Sequence, residues 1–441
     1  MRWASRNATF SRPKLPFTLP FLPTSIPVII PHRFRRKLRS HIRSRQSPAS
    51  TSLYRLQTSF NPADTLHALR THRWSFYDGQ YLLLLILTIF DLSVSTVMWP
   101  TLVVSLLITS LIFPITRQFF LPFLPIGCWL ISFFCARFIP AEFRPPIWVR
   151  VLPALENIFY GANLSNILSA HKHVVLDVLA WIPYGLTHYG APFVCSGIMF
   201  MFGPPGTVPI FARSFGYMNI AGVLIQLLFP CSPPWYENRY GLAPANYSME
   251  GSPGGLARID ALLGFDMYTS GFTASPLVFG AFPSLHAGSA TIEVLFMSHV
   301  FPKLRPLFIV YMLWIWWSTM YLSHHYAVDL VGGSLLAGTV FYITKSKFLP
   351  RVQAGKFWRW DYDYVETGDV PQGYSYGLAN LDTDFHHPGL SDGEWTVGSS
   401  SSISSGSISP IDENQSLWEG ETLASHSDND SYEYSKEGSR R

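Results

Sequence analysis

Phe279-Gly-Ala-Phe-Pro-Ser-Leu-His-Ala-Gly288 and Tyr321-Leu-Ser-His-His-Tyr-Ala-Val-Asp-Leu-Val-Gly-Gly333 each place histidine at the mouth of a long apolar run. The second string also carries a carboxylate, Asp329, one helical turn beyond His325. Ionisable side chains are costly inside a bilayer, and where they occur they tend to mark a substrate path or a reaction site. The two strings therefore predict an all-α, polytopic membrane protein with its chemistry gathered at one membrane face.

Composition agrees. The 441 residues are 48% hydrophobic and 15% aromatic but only 14% charged, a balance that excludes an ordinary soluble domain. Polar residues collect at the two ends. Residues 1–75 form a basic arm, densest at Arg33-Phe-Arg-Arg-Lys-Leu-Arg39, expected in the cytosol beside anionic lipid. The apolar spans behind this arm argue against a nucleic-acid contact. Residues 351–441 are polar, acidic and Ser-rich, and are read as a cytosolic, largely disordered tail. Residues 76–350 make the transmembrane domain. Cys128, Cys135, Cys195 and Cys231 give no disulfide framework and read as reduced thiols. The first long apolar run begins near Tyr81 and is read as an anchor rather than a cleaved leader.

A helix crosses a bilayer in about 20 apolar residues. Eight runs qualify as candidates: 81–98, 101–116, 118–138, 175–200, 208–229, 284–301, 305–322 and 327–345. Arg117, the Lys303-Leu-Arg305 turn and the basic stretch 345–359 then share one side, which the positive-inside tendency makes cytosolic together with both termini. The run 101–116 is short, so six spans with the first pair as a re-entrant hairpin is the alternative. Arg144, Arg150 and Lys172, on the far side, are the weak point of the topology. In either count 284–301 descends from the lumenal side, 305–322 returns and 327–345 descends again. His286 and His325 thus meet at the lumenal ends of parallel helices, under the Pro-, Gly- and Tyr-rich loop 230–283. Glycosylation sequons at Asn163-Leu-Ser165 and Asn246-Tyr-Ser248 fall in lumenal loops, and no internal repeat of transporter type is present.

Residues four apart share a helix face, so Asp329 can accept the ring N–H of His325. A carboxylate there fixes the tautomer and aims the other nitrogen outward, as a nucleophilic or basic histidine requires. The bland alternative is an interfacial pair that caps a helix, and a second histidine at the same depth argues against it. Pro283-Ser-Leu-His286 opens the other helix, where free N–H groups and Ser284 suit an anion. Small residues Ala287, Gly288, Ser289 and Ala290, facing Gly332, Gly333 and Ala337, let the two helices approach closely. His188, Asp91 and Asp177 also fall in or near apolar runs, without an assigned role.

Together these residues resemble the lipid phosphate phosphatase (type 2 phosphatidic acid phosphatase) superfamily. Its Pro-Ser-x-His motif is matched by Pro283, Ser284 and His286, and its Ser-Arg-x5-His-x3-Asp motif by Ser318, His325 and Asp329. The resemblance implies a six-helix core preceded here by two extra spans. It also implies His325 as nucleophile, His286 as general acid then base, and Asp329 as the group that orients His325. Ser284, Arg258, Ser318 and His324 are the candidate substrate- or phosphate-binding residues, His324 being expected off the catalytic face as a structural or secondary contact. Thr319 stands where the superfamily has arginine, and no Lys-x6-Arg-Pro motif precedes Pro283. A phosphodiester carries one negative charge and a monoester nearly two, so loss of cationic ligands favours transfer of a diester over monoester hydrolysis. Arg258, with Arg239 behind it, is the expected replacement cation.

Longer strings narrow the resemblance: Phe229-Pro-Cys-Ser-Pro-Pro-Trp-Tyr236, Tyr240-Gly-Leu-Ala-Pro-Ala-Asn-Tyr-Ser-Met249 and Gly254-Gly-Leu-Ala-Arg-Ile-Asp260 join the two histidine strings. Over roughly 75–360 the chain looks like the catalytic subunits of fungal inositol phosphorylceramide synthases. This implies a Golgi enzyme that moves phosphoinositol from phosphatidylinositol to ceramide and releases diacylglycerol. It further implies a small membrane regulatory subunit; no cofactor or metal is expected, because two imidazoles and helix-end donors can do the proton and charge work. The rivals are a sphingomyelin-synthase-like transferase or lipid phosphatase on the same scaffold, and, from another class, a transporter or channel. In that last case His286, His324 and His325 would relay protons or bind zinc.

Overall fold

A computed structural model describes residues 56–72, 74–362 and 365–368. The expected arm up to residue 55 and the acidic tail beyond 368 lie outside the described residues. Among the described residues the regular structure is helical, with isolated bridges but no strand.

Helix α1 (Pro62–Thr71) is capped by Asn61, whose side chain accepts from Ala63 N. Three apolar helices follow: α2 (Gly79–Val94), α3 (Trp99–Ile112) and α4 (Pro114–Cys135). Proline disfavours helical backbone at the residue before it, so Phe113 is extended and α3 stops there. The expected break between 101–116 and 118–138 therefore moves back, and Arg117 lies in the first turn of α4. The 139–174 connection holds two short helices, α5 (Val151–Tyr160) and α6 (Leu164–Ala170).

The run expected over 175–200 is one continuous rod with an irregular middle. Helix α7 (Val174–Trp181) passes through a π-helical turn, Ile182–Thr187, into α8 (His188–Phe202). Pro183 cannot donate a backbone hydrogen bond, and a widened turn is a common way for a helix to absorb that loss. Then come α9 (Thr207–Leu228) and, inside the predicted 230–283 loop, α10 (Pro234–Tyr240), α11 (Ala257–Leu263) and α12 (Met267–Thr273). The last three are α13 (Leu285–Val300), α14 (Arg305–Tyr321) and α15 (Ala327–Lys347).

Each of the eight predicted runs carries helix. Among the described residues four stretches are long and apolar enough to cross a membrane by length and composition: Phe76–Val94, Pro114–Phe138, Thr207–Leu228 and Ala327–Lys347. Helices α3, α13 and α14 are shorter, at 14, 16 and 17 residues. Leu82, Leu85, Ile86 and Ile89 on α2, Phe193 and Val194 on α8, and Leu307, Val310 and Leu313 on α14 point outward. So much exposed apolar surface suits lipid rather than water. The chain is a multi-pass membrane protein. Its interior is built from Met199, Phe211, Phe215, Met218, Ile292, Phe296 and Phe341, contributed by α8, α9, α13 and α15.

Helices α13 and α15 meet backbone to backbone. A Cβ added at Gly333 would strike the carbonyl oxygen of Ser284 and lie 3.2 Å from Gly288 N. Gly338, one turn further along α15, has open space around it. Overpacking typically costs about 1–3 kcal/mol. Gly333→Ala is therefore expected to lower the thermal unfolding midpoint in detergent, while Gly338→Ala leaves it unchanged or raises it slightly. Equal midpoints for the two variants would contradict this close approach.

Candidate active site

The site is assembled from two helix starts. Ser284 precedes α13 in extended backbone, and its side chain accepts from Ala287 N at 3.3 Å, satisfying one free donor of the first turn. His286 stands on that same turn. The Ser284 N–H reaches across to the backbone carbonyl of Asp329 at 3.0 Å and ties the start of α13 to the start of α15.

The second start follows a sharp reversal. Helix α14 ends at Tyr321, and Ser323 adopts φ 61°, in the left-handed region. The backbone N–H groups of His324 and His325 then both donate to the carbonyl of Thr319, at 2.9 and 3.3 Å. Thr319, the residue in place of the superfamily arginine, thus shapes the histidine turn through its carbonyl. Helix α15 is capped from a distance. The buried Glu156 carboxylate of α5 accepts from Ala327 N and Val328 N, both at 3.2 Å. A carboxylate there also complements the positive end of the helix dipole. Tyr326 donates to Glu237 at 2.8 Å, and Glu237 accepts from Asn163 as well.

These anchors bring the predicted residues together. His325 Nδ1 lies 2.9 Å from Asp329 Oδ2, and His325 Nε2 lies 3.1 Å from His286 Nδ1. Asp329 is wholly buried and His325 is 6% exposed, so this chain of hydrogen bonds is shielded from water. With Asp329 accepting, His325 carries its proton on Nδ1 and keeps a lone pair on Nε2. Burial pushes the His325 imidazole below its ordinary value, which favours the neutral ring a nucleophile needs. A proton on His286 Nδ1 then points at the same spot. The two imidazoles therefore face one another, with the Asp329 carboxylate behind His325.

The remaining sequence candidates are placed differently. His324 turns away from the pair: its Nε2 lies 3.0 Å from the Pro253 carbonyl, and its ring packs on Phe272 at 4.6 Å. A Cβ on Gly254, at φ 52°, would come within 3.3 Å of that nitrogen and strike the Leu322 carbonyl, which is why this turn holds glycine. Ser318 is fully buried and donates to Trp314 O at 2.7 Å, within its own helix. Arg258 forms a bidentate pair with Asp177, with Nε at 2.9 and 3.0 Å from the two carboxylate oxygens. Tyr321 donates to the same carboxylate at 2.8 Å. Asp177, unassigned from the sequence, is thus the partner that holds Arg258, whose charge is largely spent there. Arg239 stacks over Tyr240, 5.4 Å from the ring centroid. Asp91 lies elsewhere, on α2, and accepts from Ser132 of α4 at 2.6 Å.

Sequence reasoning missed three contributors. Glu156 gave no signal, being one carboxylate in a connection. Tyr184 stacks on His286 at 4.6 Å and on His324 at 5.3 Å. His188, noticed only as an ionisable group in an apolar run, lies 4.6 Å from His286 ring to ring. The signal for both was Pro183, which places the π-helical turn beside the site. Among the described residues no group of three or more His, Cys, Asp or Glu is arranged to hold a metal ion.

A family model described as the PAP2 superfamily matches residues 147–343. The chain is 56% identical over 320 residues to the inositol phosphorylceramide synthase catalytic subunit of Schizosaccharomyces pombe, covering 72% of this chain and 76% of that protein. It is 45% identical over 381 residues to the corresponding catalytic subunit of Saccharomyces cerevisiae, covering 81% and 95%. It is 30% identical over 240 residues to the phosphoinositol dihydroceramide synthase of Bacteroides thetaiotaomicron, covering 52% and 77%. No solved structure matches the chain.

The cap on α15 is open to test. Glu156→Ala leaves the Ala327 and Val328 N–H groups buried without an acceptor, at about 1–3 kcal/mol for each unsatisfied group. The expected result is a clear fall in thermal midpoint, with Glu156→Gln intermediate because its amide oxygen still accepts. An unchanged midpoint for Glu156→Ala would show that the cap does not hold the helix.

Proposed function

This chain belongs to the family of inositol phosphorylceramide synthase catalytic subunits, and from that footing we propose that it moves phosphoinositol from phosphatidylinositol to the primary hydroxyl of ceramide, releasing diacylglycerol. It is a membrane-embedded phosphotransferase, and the relatives that carry this name span most of its length.

The proposed chemistry is a double displacement. The lone pair of His325 Nε2 attacks phosphorus, the bond from phosphorus to the diacylglycerol oxygen breaks, and a protonated His286 gives its proton to that oxygen. The ring proton of His325 stays at Nδ1, where Asp329 balances the positive charge of the phosphorylated imidazole. His286, now neutral, takes the proton of the ceramide hydroxyl. The ceramide oxygen attacks phosphorus, and His325 leaves as a neutral ring. The observation that carries this reading is the 3.1 Å approach of His286 Nδ1 to His325 Nε2, with Asp329 at 2.9 Å behind. In this reading Ser284 and the N–H groups at the start of α13 bind a phosphoryl oxygen. Exclusion of water matters because the intermediate would otherwise hydrolyse, and the 230–283 segment folded over His324 serves that end.

The same reading places the active site on the lumenal face of a Golgi membrane. It gives eight spans over 76–350, with the basic arm 1–75 and the tail 351–441 in the cytosol, and a small membrane regulatory subunit as partner. Support comes from the charge distribution of the connections and the family resemblance.

Membranes expressing the full chain, incubated with inositol-labelled phosphatidylinositol, should form labelled inositol phosphorylceramide only when ceramide is added. His325→Ala and His286→Ala should each abolish transfer without loss of protein. Asp329→Asn should lower it by about 10²-fold or more, as the tautomer is no longer fixed. Free inositol phosphate as the main product would indicate a phosphatase, and substantial activity in His325→Ala would remove the proposed nucleophile.

A further inference from the structure

The family arginine is missing at Thr319, Arg258 is engaged by Asp177, and Ser318 bonds within its own helix. The transferring phosphoryl group nonetheless develops negative charge on its non-bridging oxygens and needs donors aimed at it. Two residues whose rings contact His286 each carry a buried side-chain polar atom with no hydrogen-bond partner: the Tyr184 hydroxyl and His188 Nδ1. Buried polar groups are nearly always satisfied, and such orphans call for an explanation. Tyr184 is 2% exposed, and its ring stacks on His286 at 4.6 Å with an interplanar angle of 25°. The His188 ring lies 4.6 Å from the same imidazole, with an interplanar angle of 42°. Both residues sit on or directly after the π-helical turn Ile182–Thr187, an irregularity that re-aims side chains and is frequent at functional sites.

On the two-histidine reading given above, we propose that the Tyr184 hydroxyl and His188 Nδ1–H are the donors that bind the non-bridging oxygens of the transferring phosphodiester, in the place left by the missing arginine. Neutral donors suit a diester with one charge. They also avoid placing a permanent cation in the apolar rod α7–α8, where it would be costly without a paired anion. Tyr184 stacks on His286, and His188 makes a tilted ring contact with it, so both rings are held before the substrate arrives.

Tyr184→Phe keeps the ring and removes only the hydroxyl. His188→Asn keeps an N–H donor close to the position of Nδ1, whereas His188→Phe keeps bulk and removes it. In membranes containing labelled phosphatidylinositol and saturating ceramide, kcat should fall about 10²-fold for Tyr184→Phe and for His188→Phe, the loss typical of one oxyanion donor. His188→Asn should recover most of the activity, and KM for ceramide should stay within a few-fold throughout. A phosphatidylinositol analogue with sulfur at one non-bridging position should slow the unmodified protein for at least one diastereomer. That discrimination between diastereomers should vanish in Tyr184→Phe or His188→Phe, an outcome that mere packing would not produce. Wild-type kcat in Tyr184→Phe and His188→Phe, or an unaltered sulfur effect in both, would overturn the assignment. If His325→Ala is inactive in the same membranes, the double-displacement reading survives that failure; if His325→Ala is active, that reading falls instead.

Discussion

Asp329 is used twice, and the architecture of the site depends on it. Its backbone carbonyl accepts the Ser284 N–H and locks the start of α13 to the start of α15. Its carboxylate accepts from His325 and decides which ring nitrogen is free. One buried residue therefore sets both the spacing of α13 and α15 and the tautomer of His325. The arrangement is possible because Gly333 lets the α15 backbone reach Ser284. A larger residue would separate the helices and, with them, His286 from His325.

A carboxylate this deep is expensive unless its surroundings compensate for it. Part of the compensation is local, since Asp329 lies in the first turn of α15, at the positive end of the helix dipole. Glu156 completes the same helix start from outside by taking the first two N–H groups. A second layer isolates the long cation of the 230–283 segment: Asp177 and Tyr321 hold Arg258 at the flank of the site. Arg258 is thus paired with Asp177 and His325 with Asp329, and the imidazoles of His286 and His325 are left facing each other. That division agrees with a substrate bearing a single negative charge.

Much of this was legible in the sequence. The apolar runs foretold the helices because length and hydropathy act locally, and the spacing of His325 and Asp329 foretold their contact because four residues make one helical turn. His286 was legible from Pro283 and Ser284, which mark a helix start. What escaped was long-range or irregular. Glu156 lies far from Ala327 in the chain, and Asp177 far from Arg258, so nothing in spacing could pair them. Arg258 was expected near phosphate because the partner that holds it was invisible. Proline at 114 moved one helix boundary, and proline at 183 produced the π-helical turn that carries Tyr184 to the histidines. Periodicity assumes a regular helix, so it passed over that turn.

The central claim is that phosphorus passes through His325, and stereochemistry at phosphorus tests it most directly. Phosphatidylinositol made chiral at phosphorus with oxygen isotopes and sulfur would be converted by the full chain, and the configuration of the inositol phosphorylceramide product determined. Two in-line displacements, first onto His325 and then onto ceramide, predict net retention. Net inversion would mean that ceramide attacks the donor lipid directly, and would contradict a covalent role for His325.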